Sequence, residues 1–418
     1  MSHFKSLKTG ILVAVLGISG FLVGCSNTPT LPPPTPLPKM SQTDELQRQW
    51  QLLMGQTSDS DAVGLNIAID DTVQPAHLYS AATAGWLTAI KAAPQDRWTD
   101  QVIWQKKLNE VITAGPVIQG ESLLFGTNKG SLYALDKQTG ALRWQAFLSS
   151  EVMAPPVMAE GKLFTRTVDG KLYALDAKTG QQIWVIEHEM PNLSLRGAAP
   201  VTVANGVVFV GWETGVVEAL SAASGQQLWQ QRVLTPHGRT DLERMVDLQT
   251  QLKLQNGRLL VFGYHGKLVA LNPQSGLPYW VKSVSGYRNP VVDDVAVYVV
   301  TDQDQVQAYD LQTGALRWQQ TQLDHRRLGN PHWGQLHGRK ELWVGDGYGR
   351  IERLDPLDGT LLGYFTHEQG TAIVKLKPAG VQPPHLYVQD EEGYLTRYAI
   401  QPTDLEQFRQ RFKDTKTQ

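Results

Sequence analysis

The chain is almost without cysteine: Cys25 is the only one among 418 residues. That excludes an intrachain disulfide, a Cys-x-x-Cys redox couple and a cysteine-based zinc site. It also lacks an excess of either charge. Lys and Arg number 38 against 40 Asp and Glu, a formal net charge of −2, so the basic footprint of a nucleic-acid binder is missing. After residue 24 no stretch is long and apolar enough to cross a bilayer as a helix. The patterns G-x-x-x-x-G-K-[ST], H-E-x-x-H and G-x-S-x-G do not occur, which removes the usual signatures of phosphate loops, zinc proteases and serine hydrolases. The stretch 126–130 (GTNKG) imitates a glycine-rich loop but falls between two strands, as a turn.

What the chain does have is a repeat. Its clearest copies are GSLYALDKQTGALRW (residues 130–144) and GKLYALDAKTGQQIW (170–184), and weaker ones start at Gly85, Gly215, Gly266, Asp304, Gly349 and Gly393. Starts 38 to 51 residues apart mark a propeller or a solenoid. Each copy reads as a short alternating strand, a turn ending in glycine, and a further strand with tryptophan four positions on: Trp144, Trp184, Trp229, Trp280 and Trp318. The seventh copy has Gly363-Tyr364 instead. Two more apolar runs precede each copy, several opening on proline (Pro116, Pro156, Pro200, Pro290, Pro331), a residue tolerated at the start of a strand. Four strands per unit and eight units predict an all-β, eight-bladed propeller over residues 44–402. The eighth copy lacks its fourth strand. Residues 48–54 (RQWQLLM), at the other end of the body, read as the missing strand that closes the ring and removes an open edge.

The first 24 residues read as an export leader: Lys5 and Lys8, then an apolar core over 11–23. The leader ends in Leu22-Val23-Gly24-Cys25, which resembles a bacterial lipobox and implies lipidation of Cys25. Ser26 then implies the outer membrane, since the sorting rule for such lipoproteins reserves Asp for retention. The proline-rich stretch over 29–38 reads as a tether, strut or flexible linker, completed at residue 43. In the tail, 403–418, Leu405, Phe408 and Phe412 have helical spacing and predict a short helix lying on the last blade.

Most links from a fourth strand to the next first strand are short. Two are long, 187–198 and 234–249, and they flank blade four, so they should be neighbours on one rim. Leu193 and Leu195 sit in the first with no strand to bury them, beside Arg196, a combination that suits a partner hot spot. Strand addition at a blade edge is the other route by which a partner would bind, and the sequence leaves both open.

The repeat resembles that of pyrroloquinoline-quinone-type propellers. Together with the leader, with MPNLSLRG (190–197), GRTDLERMVD (238–247) and DQDQV (302–306), it resembles the BamB family, propeller lipoproteins of the outer-membrane β-barrel assembly machinery. The resemblance implies a non-catalytic scaffold without cofactor or metal, lipid-anchored to the periplasmic face of the outer membrane. The implied partners are the periplasmic domains of the barrel subunit BamA, the other lipoproteins of that machinery, and unfolded outer-membrane proteins. Contact residues carry over as Leu193, Leu195, Arg196 and Asp247. A second acid of the family pattern is replaced by Gln249.

Two rivals use the same fold. A quinone-dependent dehydrogenase would need a calcium site, a catalytic carboxylate and a quinone sandwiched at the axis, often against a disulfide of adjacent cysteines; the sequence offers no such site and has a single cysteine. A glycan binder would use Trp212 and Trp333 as platforms. His325, Arg326, Arg327 and His332 read as a solvated loop between blades six and seven rather than a metal or anion site. Asp302 and Asp304 read as a hairpin turn rather than a calcium loop.

Overall fold

A computed structural model describes residues 32–37, 44–54, 64–73, 75–92, 102–195, 199–368, 370–379 and 385–402. The leader, Cys25, Arg196 and the tail with Leu405, Phe408 and Phe412 lie outside them. Among the described residues there are eight antiparallel sheets built on the same plan. In blade three, for example, Val157–Ala159, Lys162–Arg166, Lys171–Asp176 and Gln182–Glu187 are hydrogen-bonded in chain order. The first strands of neighbouring blades approach each other and so surround the axis. The third strand is buried on both of its faces, as Ser131–Asp136 illustrates, because each sheet is sandwiched between two others. The predicted eight-bladed propeller is therefore the observed fold.

The tryptophans hold blade to blade. The indole N–H of Trp104, Trp144, Trp184, Trp229, Trp280 and Trp318 donates to a backbone carbonyl in the turn of the next blade, at 2.9–3.2 Å. Each ring lies against the glycine of that turn. At Gly180 (φ +72°) an added Cβ would come within 2.6 Å of the Trp144 ring. Glycine is thus needed twice there, for the left-handed backbone and for the close approach. Gly180→Ala is expected to cost roughly 1–3 kcal/mol, through overpacking and backbone strain together, and urea unfolding would read it.

Closure follows the predicted route and extends it. The strand Asp44–Leu53 pairs antiparallel with Tyr394–Pro402, from Asp44 opposite Pro402 to Leu53 opposite Tyr394. A bulge falls just before Trp50, as another falls before Trp144. Trp50 also tilts against Tyr387 at 6.1 Å and 45°, nearly the geometry of Trp184 on Phe164 (5.8 Å, 45°). It is the fourth-strand tryptophan of blade eight, supplied from the opposite end of the chain. The exception at Gly363-Tyr364 follows: in blade eight the third strand does not turn back into a fourth, so there is no turn glycine for a tryptophan to cover. A two-residue strand, Gly64–Leu65, adds in parallel to the first strand of blade two. Nothing in so short a stretch announces it.

Because the strands alternate in direction, links from fourth to first strands and turns from second to third strands emerge on one face of the ring. Turns from first to second and from third to fourth emerge on the other. We call these the link face and the turn face.

Candidate docking surface

On the link face the two long links meet above blade four. The second is anchored at its base and free at its tip. Val233, Leu234, Val246 and Leu248 are buried in the cluster between blades four and five. Residues 235–244 are all exposed. The tip is nonetheless ordered by its own hydrogen bonds. Thr240 caps the four-residue helix Asp241–Arg244 by accepting from the Glu243 N–H, and the Glu243 carboxylate accepts from the N–H groups of Arg239 (2.7 Å) and Thr240 (3.2 Å). Leu242, 62% exposed, stands on that tip.

The first link lies against the second through Asp247. Its Oδ2 accepts from the backbone N–H of Leu195 at 2.9 Å and from Gln249 Nε2 at 3.3 Å. Asp247 is 1% exposed. In the free protein it is a tie between the two links, not a charge presented to solvent. Gln249, standing where the family pattern has a second acid, uses its amide to support the first. Of the leucines, Leu193 is 43% exposed and Leu195 is half-buried.

Between the links opens a cleft of about 300 Å³. Leu193, Met245 and Val246 form its apolar part, and Arg232, Arg244 and Asp241 its charged rim. Sequence reasoning found the loops but neither the cleft nor these arginines, which come from the last strand of blade four and the tip helix.

Under the cleft is a buried ion pair. Arg166, at the end of the second strand of blade three, reaches across to blade four. Its Nη2 lies 2.7 Å from both carboxylate oxygens of Glu213, and its Nη1 donates to the Gly211 carbonyl at 3.0 Å. The guanidinium also lies over the Trp212 ring, 4.5 Å from its centre, and His188 stacks on that indole at 4.6 Å. Trp212 donates to Glu218 at 2.9 Å and is fully buried. It cannot serve as a glycan platform. Trp333 is half-buried, edge-on to Tyr298, with Lys340 3.6 Å from its ring centre and its N–H given to the Val292 carbonyl. It packs between blades six and seven.

Burial, reinforced by the negative charge of Glu213, pushes the Asp247 carboxyl up to about 8. The folded protein therefore holds a proton that the unfolded chain releases near pH 4. Stability from this group is present below about pH 4 and is lost as pH rises toward 8, at up to about 1.4 kcal/mol per pH unit. Asp247→Asn keeps an acceptor for Leu195 and removes the titration. The variant is expected to gain on the wild type in urea unfolding at pH 8 relative to pH 5.

Two smaller features differ in outcome. Asp302 and Asp304 do form a turn, and the Asp304 carboxylate accepts from the N–H groups of Arg327 (2.7 Å) and Leu328 (2.9 Å). The link between blades six and seven is not simply solvated, however. Arg326 is buried against Asp346, at 2.6 and 2.9 Å, and Leu323 and Leu328 are fully buried. Among the described residues, no three His, Cys, Asp or Glu side chains converge as a metal site requires.

The profile of the family described as Outer membrane protein assembly factor BamB matches residues 83–320, more than half of the chain. Relatives of that name include the Marinobacter adhaerens protein, 37% identical over 389 residues, which span 93% of this chain and 96% of that one. The Escherichia coli K12 protein is 29% identical over 363 residues, 85% of this chain and 89% of that one. The crystal structure of BamB from Moraxella catarrhalis superposes with a TM-score of 0.71 at 25% identity, covering 85% of this chain and 99% of that one. A quinohemoprotein alcohol dehydrogenase from Comamonas testosteroni shares the fold at a TM-score of 0.64 and 14% identity, over 85% of this chain and 76% of that one. Family and fold agree: the chain belongs to the BamB family of outer membrane protein assembly factors.

Proposed function

We propose that this protein is a non-catalytic scaffold of outer-membrane protein assembly. The link-face surface of blade four docks the periplasmic domains of the BamA-type barrel subunit. The observation that carries the reading is the pair of long links, tied by Asp247 and Leu195, around a cleft with exposed leucines and arginines. An apolar anchor ringed by charge on a rigid scaffold is what a small number of energetic contacts needs. Leu193 and Leu195 supply apolar contact, Arg196 pairs with a carboxylate of the partner, and Asp247 positions the first link. Lipidation of Cys25 holds the body at the periplasmic face of the outer membrane and raises its effective concentration there. The other lipoproteins of the machinery and unfolded outer-membrane proteins are further partners in this reading.

The test is binding of residues 41–418 to the periplasmic region of the host's barrel subunit. Leu193→Asp and Arg196→Glu are each expected to weaken it by at least about tenfold, a loss of roughly 1.4 kcal/mol or more, with unchanged circular dichroism. Unaltered affinity in both folded variants would move the site elsewhere.

A further inference from the structure

The tether does not simply trail from the body. The Thr35 N–H donates to the Asp324 carbonyl at 3.1 Å, and the Thr35 carbonyl accepts from Arg326 Nη1 at 3.4 Å. Leu37 packs on the cluster between blades six and seven that contains Leu323 and Leu328. The receiving link is rigid on its own account: Asp346 pins Arg326, and Asp304 pins the backbone at Arg327 and Leu328. The sequence of the segment suits the role. In Pro32-Pro33-Pro34-Thr35-Pro36 the Thr35 N–H is the one backbone donor, and it is used. Flanking prolines keep the segment extended before it docks, so little conformational entropy is lost.

The position of this contact matters because of where the body's first strand begins. Asp44 pairs with Pro402, at the end of a strand that starts beside the turn at Asp390–Gly393 on the link face. Asp44 therefore lies at the turn face. A tether free up to residue 44 would leave the propeller on the side away from the blade-four links. Thr35, by contrast, is held in a link between blades, on the link face.

We propose that residues 34–37 form a latch that brings the membrane tether out on the link face, the face that carries the candidate docking surface. The surface recognised through this arrangement is the lipid bilayer, toward which the link face is turned. The inference rests on the lipidation of Cys25. From Cys25 to Thr35 the chain spans at most about 35 Å, against about 65 Å to Asp44 were the latch open, so the latch also shortens the leash.

Two measurements test it. In the full-length mature protein, hydrogen exchange at the Thr35 amide is expected to be slowed at least about tenfold, and Leu37→Asp is expected to restore the intrinsic rate. Exchange at the intrinsic rate in the wild type would overturn the latch. The second uses lipidated protein in vesicles carrying an acceptor dye in the headgroups. Single cysteines placed by His237→Cys on the link face and Leu357→Cys on the turn face carry the donor. Transfer is expected to be stronger from position 237. With Thr35→Pro, which removes the N–H that donates to the Asp324 carbonyl, combined with Leu37→Asp, that preference is expected to vanish or reverse. Equal transfer from both positions in the wild type, or a preference untouched by the double variant, would overturn the proposal. Failure to float with vesicles would refute the lipid anchor, while Thr35 exchange would still decide the latch.

Discussion

Removing residues 44–54 is expected to abolish the stable monomer and to leave a protein that aggregates on purification. The strand pairs with Tyr394–Pro402 along its whole length, and Trp50, Leu52 and Met54 are buried where blades eight and one meet, against Ile67, Leu78 and Ile90. Without it the third strand of blade eight becomes an open edge, a template for pairing with other chains. The point variant Trp50→Ala, which spares the backbone pairing, is expected to cost about 3–5 kcal/mol in equilibrium urea unfolding. A truncated protein that remained monomeric with an unchanged unfolding midpoint would show that the ring does not depend on its clasp.

The second large effect is expected beneath the docking surface. Arg166→Ala leaves the Glu213 carboxylate buried and without its guanidinium partner. Breaking a buried pair from one side costs about 3–5 kcal/mol. The double variant Arg166→Met, Glu213→Gln removes both charges and is expected to recover most of that loss. Recovery would separate the electrostatic cost from the packing of Arg166 on Trp212. A single variant as stable as the wild type would mean that Glu213 finds other partners or water.

The architecture was legible in the sequence because its determinants are local and repeated. A turn glycine and a tryptophan four residues on recur with one spacing, and the contact they make is the one that holds neighbouring blades together. The clasp was legible by subtraction, since one repeat lacked a strand and one unassigned strand remained. The site was legible in outline: loop length gave the two links, and Leu193 is exposed as expected. Three features were not legible. Asp247 reads as a charged contact because nothing local says that its side chain turns inward, and the backbone N–H it accepts from, that of Leu195, lies 52 residues away. Arg166 and Glu213 belong to different blades and meet only once the ring is built. Thr35 and Arg326 lie 291 residues apart, and a tether rich in proline reads as a spacer whether or not it docks.

The most direct test of the docking claim is photocross-linking in the intact cell envelope. A photoreactive residue would be placed at Leu193, at Leu242 on the tip helix, and at Leu357, 73% exposed in the turn between the last two strands of blade seven. Cross-links to the barrel subunit are expected from positions 193 and 242 and not from 357. Cross-links from 357 alone would contradict the account and place the partner on the opposite face.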